Sequence, residues 1–188
     1  GQALVQICDS HDMVVLTDAA YAEAAREAFE GTSLDVVELE GILGTAADAD
    51  AIAALRASAL DVDPLYINFT SGSTGTPKGV AVCHRSVIDF ITHFTSLFGF
   101  TAHDEIGNQA PFDFDVSVKD IYSGLLTGAT VHMIPRDYFS QPAKLMDYLV
   151  ERKITTCTWA VSAMCFVSIM GGFDYKVPET VNKVIFSG

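Results

Sequence analysis

Short apolar runs separated by amphipathic stretches set the pattern of this chain. Met13–Leu16 and Asp35–Leu39 predict buried strands, and Asp18 stands where it would cap the Ala- and Glu-rich helix between them. Residues 44–63 are rich in Ala and Asp and predict a solvent-facing helix that ends before Pro64. This segment is the best candidate for a variable connector.

The second half of the chain continues the alternation. Apolar residues recur at helical spacing from Val87 to Phe98. Further helices are predicted at Ser117–Leu126, from Pro142 to Lys153 and near 162–170, and strands at Glu105–Ala110, Ala129–Ile134, Ile154–Thr158 and Lys183–Ser187. Trp159–Val167 is interpreted as a core helix, with a partner-binding helix as the alternative. Repeated strand–helix units predict an α/β fold, a mostly parallel sheet with helices on both faces.

Composition and charge argue against several classes of protein. The 188 residues suffice for one α/β domain, and 49% hydrophobic residues argue against disorder. A formal charge of −13 argues against nucleic acid or an anionic membrane as partner. We expect a soluble, cytoplasmic protein without membrane insertion, because no apolar run reaches spanning length and no leader opens the chain.

The cysteines and histidines indicate no metal site. The four cysteines show no Cys-x-x-Cys spacing, and the five histidines form no ligand pattern with them. Reduced, structural cysteines are expected. His84 is either a surface residue at a helix start or a group that polarises a phosphate oxygen, whereas His93, His103 and His132 are expected to be structural or solvated.

A loop rich in glycine and hydroxyl groups carries the strongest chemical signal. Two strands are predicted to flank this loop, which follows the apolar run Leu65–Phe69. It reads Thr70-Ser71-Gly72-Ser73-Thr74-Gly75-Thr76-Pro77-Lys78-Gly79. Glycines let backbone N–H groups approach an anion, hydroxyls donate hydrogen bonds, and Lys78 supplies a charge suited to phosphate oxygens. The loop therefore predicts a polyphosphate site. Pro77 departs from the Walker spacing, and a flexible Ser/Gly linker is the alternative.

With the strand before it and Val80–Ser86 after it, this loop resembles the phosphate-binding signature of the adenylate-forming enzymes. These include acyl-CoA synthetases, luciferases and amino-acid-activating adenylation domains. The resemblance implies that residues 1–188 are part of the large N-terminal domain of such an enzyme, with ATP and Mg²⁺ as its cosubstrate. It assigns the β- and γ-phosphates of ATP to Thr70, Ser71, Gly72, Ser73, Thr74, Gly75, Thr76 and Lys78.

A second stretch, Phe114-Asp115-Val116-Ser117, resembles the family's Phe-Asp-x-Ser signature. In the amino-acid-activating branch, this resemblance implies that Asp115 binds the ammonium group of the substrate. A carboxylate in a partly dry pocket pairs well with an ammonium ion, whereas a fatty-acid enzyme would desolvate that charge without a partner. The alternative is that Asp113 or Asp115 caps the helix that follows.

Within that branch, three stretches resemble the D-alanine–carrier protein ligases: Asn108–Phe112, Asp120–Tyr122 and Ile154–Thr156. Two positions depart from it, since Val161-Ser162 stands in place of a Pro-Ser pair and Ser187 in place of a cysteine. The resemblance therefore implies a small amino acid as substrate, D-alanine or another. By the same comparison, the positions that line its pocket are Asp115, Val116, Lys119, Ser162, Ile185 and Ser187. Lys119 is read as an exposed helix lysine, or else as a contact for an acidic side chain.

The resemblance also implies that a carrier protein is the partner and that the isolated segment lacks part of the catalytic site. The whole enzyme would adenylate the amino acid and load it onto the phosphopantetheine thiol of a carrier protein. The groups for Mg²⁺ and ribose and the lid lysine fall outside these residues, so we expect the isolated segment to be inactive. The alternatives are an acyl- or aryl-acid CoA synthetase and a non-catalytic phosphate-binding module.

Overall fold

The computed structural model describes residues 13–70 and 78–187, with only the backbone of Ser187. The chain divides into two compact units, Gly1–Leu60 with Phe69–Val80 and Asp61–Asn68 with Ala81–Gly188. The strands are β1 Val14–Thr17, β2 Asp35–Glu38, β3 Pro64–Thr70, β4 Lys78–Cys83, β5 Glu105–Asn108, β6 Thr130–Met133, β7 Thr156–Ala160 and β8 Lys183–Ser187. The helices are α1 Ala22–Ala28, α2 Leu39–Ile42, α3 Ala49–Ser58, α4 His84–Phe98, α5 Ser117–Thr127, α6 Pro142–Glu151, α7 Val161–Ile169 and α8 Gly172–Tyr175.

The first unit contains a β–α–β motif. Strands β1 and β2 pair in parallel and α1 connects them, as the apolar pattern predicts. The predicted cap is wrong: Tyr21, without a side-chain bond, occupies the N-cap of α1. Asp18 instead accepts a hydrogen bond of 3.2 Å from the Tyr21 N–H, because an aspartate readily closes the turn that precedes a helix.

Helix α3 lies within the predicted connector and has no buried residue. Asp48 caps it, accepting a hydrogen bond of 2.9 Å from the Ala51 N–H. The solvent-facing helix is confirmed, and its role as a variable connector stays a prediction.

The second unit is built on a parallel sheet of four strands in the order β6-β5-β7-β8. Strands β3 and β4 pair separately. Ile106 packs against Phe94 and Phe100 on the side covered by α4 and α5. Gly107, the next residue of β5, faces Ile134 and Ile154 on the opposite side of the sheet. A Cβ on Gly107 would lie 3.1 Å from the Ile154 side chain. The predicted sheet with helices on both faces is confirmed.

The larger core lies on the side covered by α6 and α7. Its most buried members are Leu145, Met146, Leu149, Ile154, Trp159 and Val167. Pro142 begins α6 as predicted, since its missing N–H leaves no hydrogen bond unmade at a first helical position. Trp159 lies on β7, where its Nε1 donates a hydrogen bond of 2.8 Å to the Gly107 carbonyl.

Helix α7 is not the core helix that its apolar sequence predicts. Val167 is its one buried residue, and Ile169 is 81% exposed. The apolar residues of α7 surround the helix without a preferred side, so its sequence cannot indicate which face is buried.

Buried Asp104, which lies just before β5, forms hydrogen bonds near the starts of β7 and β8. Lys183 Nζ donates to its carboxylate at 2.6 Å, and the Thr155 hydroxyl donates at 2.9 Å. Burial by itself would raise the pKa of Asp104, but the bonds from Lys183, the Thr101 backbone and Thr155 lower it to about 2. The carboxylate therefore stays charged and joins β5, β7 and β8.

Candidate active site

The two ends of the glycine-rich loop belong to two paired strands. Thr70 is the last residue of β3 and Lys78 the first residue of β4, and these strands form one hydrogen-bonded pair. Both residues are exposed. The other predicted phosphate-binding residues, Ser71–Thr76, lie outside the described residues, as does Pro77. The predicted strands on either side of the loop are confirmed.

An ion pair joins the segment before β3 to the helix after β4. Arg85 donates through Nε and Nη2 to the two carboxylate oxygens of Asp61, both at 2.7 Å. This bidentate bond from Arg85 lowers the pKa of the Asp61 carboxyl. The His84 N–H also donates to the Asp63 carbonyl at 3.2 Å. The segments that flank the β3–β4 hairpin are thus bonded to each other within the second unit.

A cavity of about 320 Å³ lies next to that hairpin. Asp115, Val116 and Lys119 line it from the start of α5. Tyr66 of β3 and Val82 of β4 line it from the hairpin. Burial raises the pKa of the Tyr66 hydroxyl, and the nearby charge of Asp115 raises it further. The predicted ammonium ligand and the strands of the phosphate loop therefore share one cavity.

Neither aspartate of this segment caps the helix. Val116 occupies the N-cap of α5, where no side-chain capping bond is formed, so the capping alternative is wrong. The side chain of Asp115 is exposed. Lys119 is half-buried beside it rather than a fully exposed helix residue. Asp115 is therefore available to a ligand that enters this cavity.

The structure does not gather all the predicted pocket residues. Ser162, near the start of α7, lines a different cavity. Ile185 packs against the core cluster of Phe94, Phe100 and Ile106. The side chain of Ser187 lies outside the described residues. Asp115, Val116 and Lys119 thus share a cavity, and the grouping of all six stays a prediction.

A buried carboxyl that the sequence reasoning missed lies on α5, the helix that follows Asp115. Asp120 of α5 has no exposed surface, and Asn108 Nδ2 donates to its Oδ2 at 2.8 Å. Its Oδ1 and the Ser123 Oγ meet no donor or acceptor in hydrogen-bond geometry among the described residues. Burial raises the pKa of Asp120 to about 6, although the bond from Asn108 opposes the rise. Asp120 fixes α5, and with it Asp115, to the end of β5.

Helical spacing is the signal that could have revealed Asp120. Ser117, Asp120, Ser123 and Gly124 recur at positions i, i+3, i+6 and i+7, and all four are buried. Polar residues at this spacing are normally assigned to the solvent face of a helix. Gly124 shows why this face is buried, because a Cβ there would lie 2.4 Å from the Val131 side chain. The close approach of α5 to β6 requires that glycine.

We expect Asp120→Asn to change how the stability of the protein depends on pH. The folded-state pKa is above the unfolded value, so the folded state binds more protons between about pH 4 and pH 6. As the pH rises over this interval, the free energy of unfolding of the wild type should therefore fall relative to that of the variant. Above this interval, the difference between the two proteins should stay constant. Urea unfolding of both proteins at pH 4 and pH 7 measures the difference. A difference that is the same at both pH values would contradict the burial of a titrating carboxyl.

The histidines and cysteines of the described residues form no cluster of potential metal ligands. His132 Nε2 lies 2.5 Å from Glu105 Oε2, and His93 Nδ1 lies 2.8 Å from the Asp89 carbonyl. Burial raises the pKa of the Cys157 thiol to about 12, so this cysteine is inert at neutral pH. Cys83, Cys157 and Cys165 are free, and Cys8 lies outside the described residues. Nowhere in residues 13–70 or 78–187 do three potential metal ligands come together.

The family model of the AMP-binding enzymes matches residues 2–180. The chain belongs to this family. An L-proline–[L-prolyl-carrier protein] ligase of Pseudomonas fluorescens is 33% identical over 126 residues, which are 67% of this chain and 25% of the relative. A D-alanine–D-alanyl carrier protein ligase of Bacillus cytotoxicus is 38% identical over 130 residues, 68% of this chain and 25% of the relative. The chain thus spans about a quarter of the length of these curated relatives.

Solved structures show the same fold. The adenylation domain of a keto acid-selecting nonribosomal peptide synthetase module superposes with a TM-score of 0.79 at 20% identity, over 98% of this chain and 34% of that one. VinN in complex with L-aspartate superposes with a TM-score of 0.77 at 20% identity, over 100% of this chain and 47% of that one. Within the described residues, no helix is long and apolar enough to cross a membrane.

Proposed function

We propose that this chain is the nucleotide- and substrate-binding part of an ATP-dependent ligase that adenylates a small amino acid. The cavity that Asp115 shares with Tyr66 and Val82 carries the proposal, because these two residues belong to the strands that hold the glycine-rich loop. The predicted ammonium ligand and the strands on either side of the loop thereby line one cavity. The carrier-protein ligases among the relatives support the amino acid as substrate.

The geometry suggests how the first step runs. Asp115 binds the ammonium group, which leaves the carboxylate of the amino acid facing the hairpin. One carboxylate oxygen attacks the α-phosphorus of ATP and forms the acyl adenylate, while the bond to the β-phosphate breaks and pyrophosphate leaves. Lys78 and the loop residues stabilise the charge that develops on the departing pyrophosphate. The two bound substrates react as an intramolecular pair.

In the second step, we propose, the acyl group passes to a carrier protein. The sulfur of its phosphopantetheine thiol attacks the acyl carbon, the thiol proton is lost, and AMP leaves as the acyl–phosphate bond breaks. ATP enters with Mg²⁺, to which we assign no described residue. ATP and carrier-bound thiols place the reaction in the cytoplasm under this proposal. D-alanine is the favoured substrate, because several carrier-protein ligases that this chain resembles, from Bacillus and Staphylococcus species, are named for it.

Amino-acid-dependent exchange of pyrophosphate into ATP tests this function in the intact protein. We expect D-alanine or another small amino acid to support exchange. Asp115→Ala should raise the KM for the amino acid about ten- to a hundredfold and leave the KM for ATP nearly unchanged, since a hydrogen bond to a charged group contributes about 1.5–3 kcal/mol. Residues 1–188 alone should show no exchange.

Asp113→Ala is the matched control, because it removes the same charge from an exposed neighbour outside the cavity. Exchange supported only by aryl or fatty acids would replace the proposal with an acid–CoA synthetase. Equal losses for the amino acid and for ATP in Asp115→Ala would show that Asp115 supports the fold and does not select the ammonium group.

A further inference from the structure

The first turn of α5 connects the proposed amino-acid site to the interior of the second unit. The N–H of Val118 donates to the Asp115 carbonyl at 3.2 Å, so Asp115 is bonded to this turn through its backbone. Val116 and Lys119 line the same cavity as Asp115. No side-chain capping bond is formed at Val116, the N-cap. The position of this turn therefore depends on contacts that are made further along the helix.

Asp120 makes such a contact at the end of the first turn. Its Oδ2 accepts a hydrogen bond of 2.8 Å from Nδ2 of Asn108, the last residue of β5. Burial raises the pKa of this carboxyl, and the bond from Asn108 and the nearby Thr158 hydroxyl of β7 oppose the rise. Strands β5 and β7 are neighbours in the sheet, so one side chain of α5 faces both of them.

The surroundings of Asp120 are closed to solvent. Asp120 and Ser123 have no exposed surface, and Asn108 is 5% exposed. Among the described residues, Asp120 Oδ1, Ser123 Oγ and Thr158 Oγ1 have no partner in hydrogen-bond geometry. An apolar side chain of similar shape would avoid the cost of burying this carboxyl. Stability is therefore a poor explanation for a carboxyl at this place, and a role in fixing the geometry of α5 is favoured.

We infer that Asp120 is a positioning residue for the amino-acid site: its bond to Asn108 holds the first turn of α5 at the end of β5 and so keeps Asp115 where it binds the ammonium group. The inference rests on the proposed function, which assigns that group to Asp115. Asp120 does not line the cavity, so it acts through the backbone of α5 without contact to the substrate. A misplacement of about 1 Å in an active site can lower a rate about 10²-fold, so small movements of this turn matter.

Amide hydrogen exchange and steady-state kinetics of the intact protein test the inference. In Asp120→Ala, which removes the acceptor, we expect the amide hydrogens of residues 117–119, all bonded in the wild type, to exchange about tenfold faster or more. In the pyrophosphate assay, the same variant should raise the KM for the amino acid about tenfold and leave the KM for ATP nearly unchanged. A folding defect alone would lower the active fraction, and with it kcat, without this selective change in KM.

Two further variants separate position from stability. Asp120→Asn keeps a carbonyl oxygen that accepts from Asn108, so it should restore most of the wild-type KM for the amino acid. Asp120→Leu replaces the carboxylate oxygens by methyl groups in the same arrangement and removes the buried charge. It should raise this KM as Asp120→Ala does, and it decides the question if Asp120→Ala does not fold.

Ser123→Ala is the matched control, because Ser123 is equally buried on the same face of α5 and its hydroxyl has no partner among the described residues. It should change neither the amide hydrogen exchange nor the KM values. Equal increases in both KM values, or an Asp120→Asn variant as impaired as Asp120→Leu, would overturn the inference. Faster hydrogen exchange with an unchanged KM for the amino acid would overturn it and leave the proposed function intact. A wild type without amino-acid-dependent pyrophosphate exchange would overturn the proposed function, and the inference with it.

Discussion

Replacing Lys78 by methionine in the intact protein is expected to lower amino-acid-dependent pyrophosphate exchange by about 10²–10³. Lys78 is exposed at the first position of β4 and pairs with no acidic side chain among the described residues, so its charge is available to a ligand at the loop. Methionine keeps most of the side-chain length and removes the charge. The charge matters most when the bond to the pyrophosphate breaks, so the lower exchange rate should appear as a decrease in kcat.

Lys144→Met provides the comparison for this result. Lys144 is an exposed lysine of α6 that lies outside both cavities, and its replacement should leave the exchange rate unchanged. An equal decrease in both variants would reflect the net charge of the protein. An unchanged rate in Lys78→Met would remove this lysine from the proposed phosphate site and would favour the linker interpretation of the loop.

Trp159→Ala is expected to lower the free energy of unfolding by about 3–5 kcal/mol. Trp159 is 2% exposed, packs against Phe139 and donates a hydrogen bond to the Gly107 carbonyl. Its removal leaves a large void between β7 and the segment that follows β6.

Urea unfolding, followed by circular dichroism, measures this effect. Trp159→Phe retains an aromatic ring but loses the N–H donor. The lost hydrogen bond should lower the free energy of unfolding by about 1 kcal/mol, in addition to the effect of the smaller side chain. Ile169→Ala serves as the surface comparison, because Ile169 is 81% exposed and its truncation should change stability by less than about 0.5 kcal/mol. A Trp159→Ala variant as stable as Ile169→Ala would contradict the assigned packing.

The sequence by itself determined the order of the strands and of the longer helices, but it did not predict the short helices α2 and α8. Strand β8 begins and ends at the predicted residues, and α6 begins at the predicted Pro142. Apolar runs, proline and glycine act through local backbone geometry, so they predict strands and helices without knowledge of tertiary contacts. The glycine-rich loop between two strands was identified from the same kind of local information, and so was the family.

Only the tertiary structure decided which faces are buried and which residues meet. The apolar sequence of α7 cannot show that it buries Val167 alone, and the polar spacing on α5 conceals buried Asp120. Asp115 meets Tyr66 in one cavity although 49 positions separate them in the sequence. Such contacts depend on how α4 and α5 pack on the sheet. The physical reason is that burial and proximity are properties of packing between distant segments, whereas helix and strand patterns are properties of neighbouring residues.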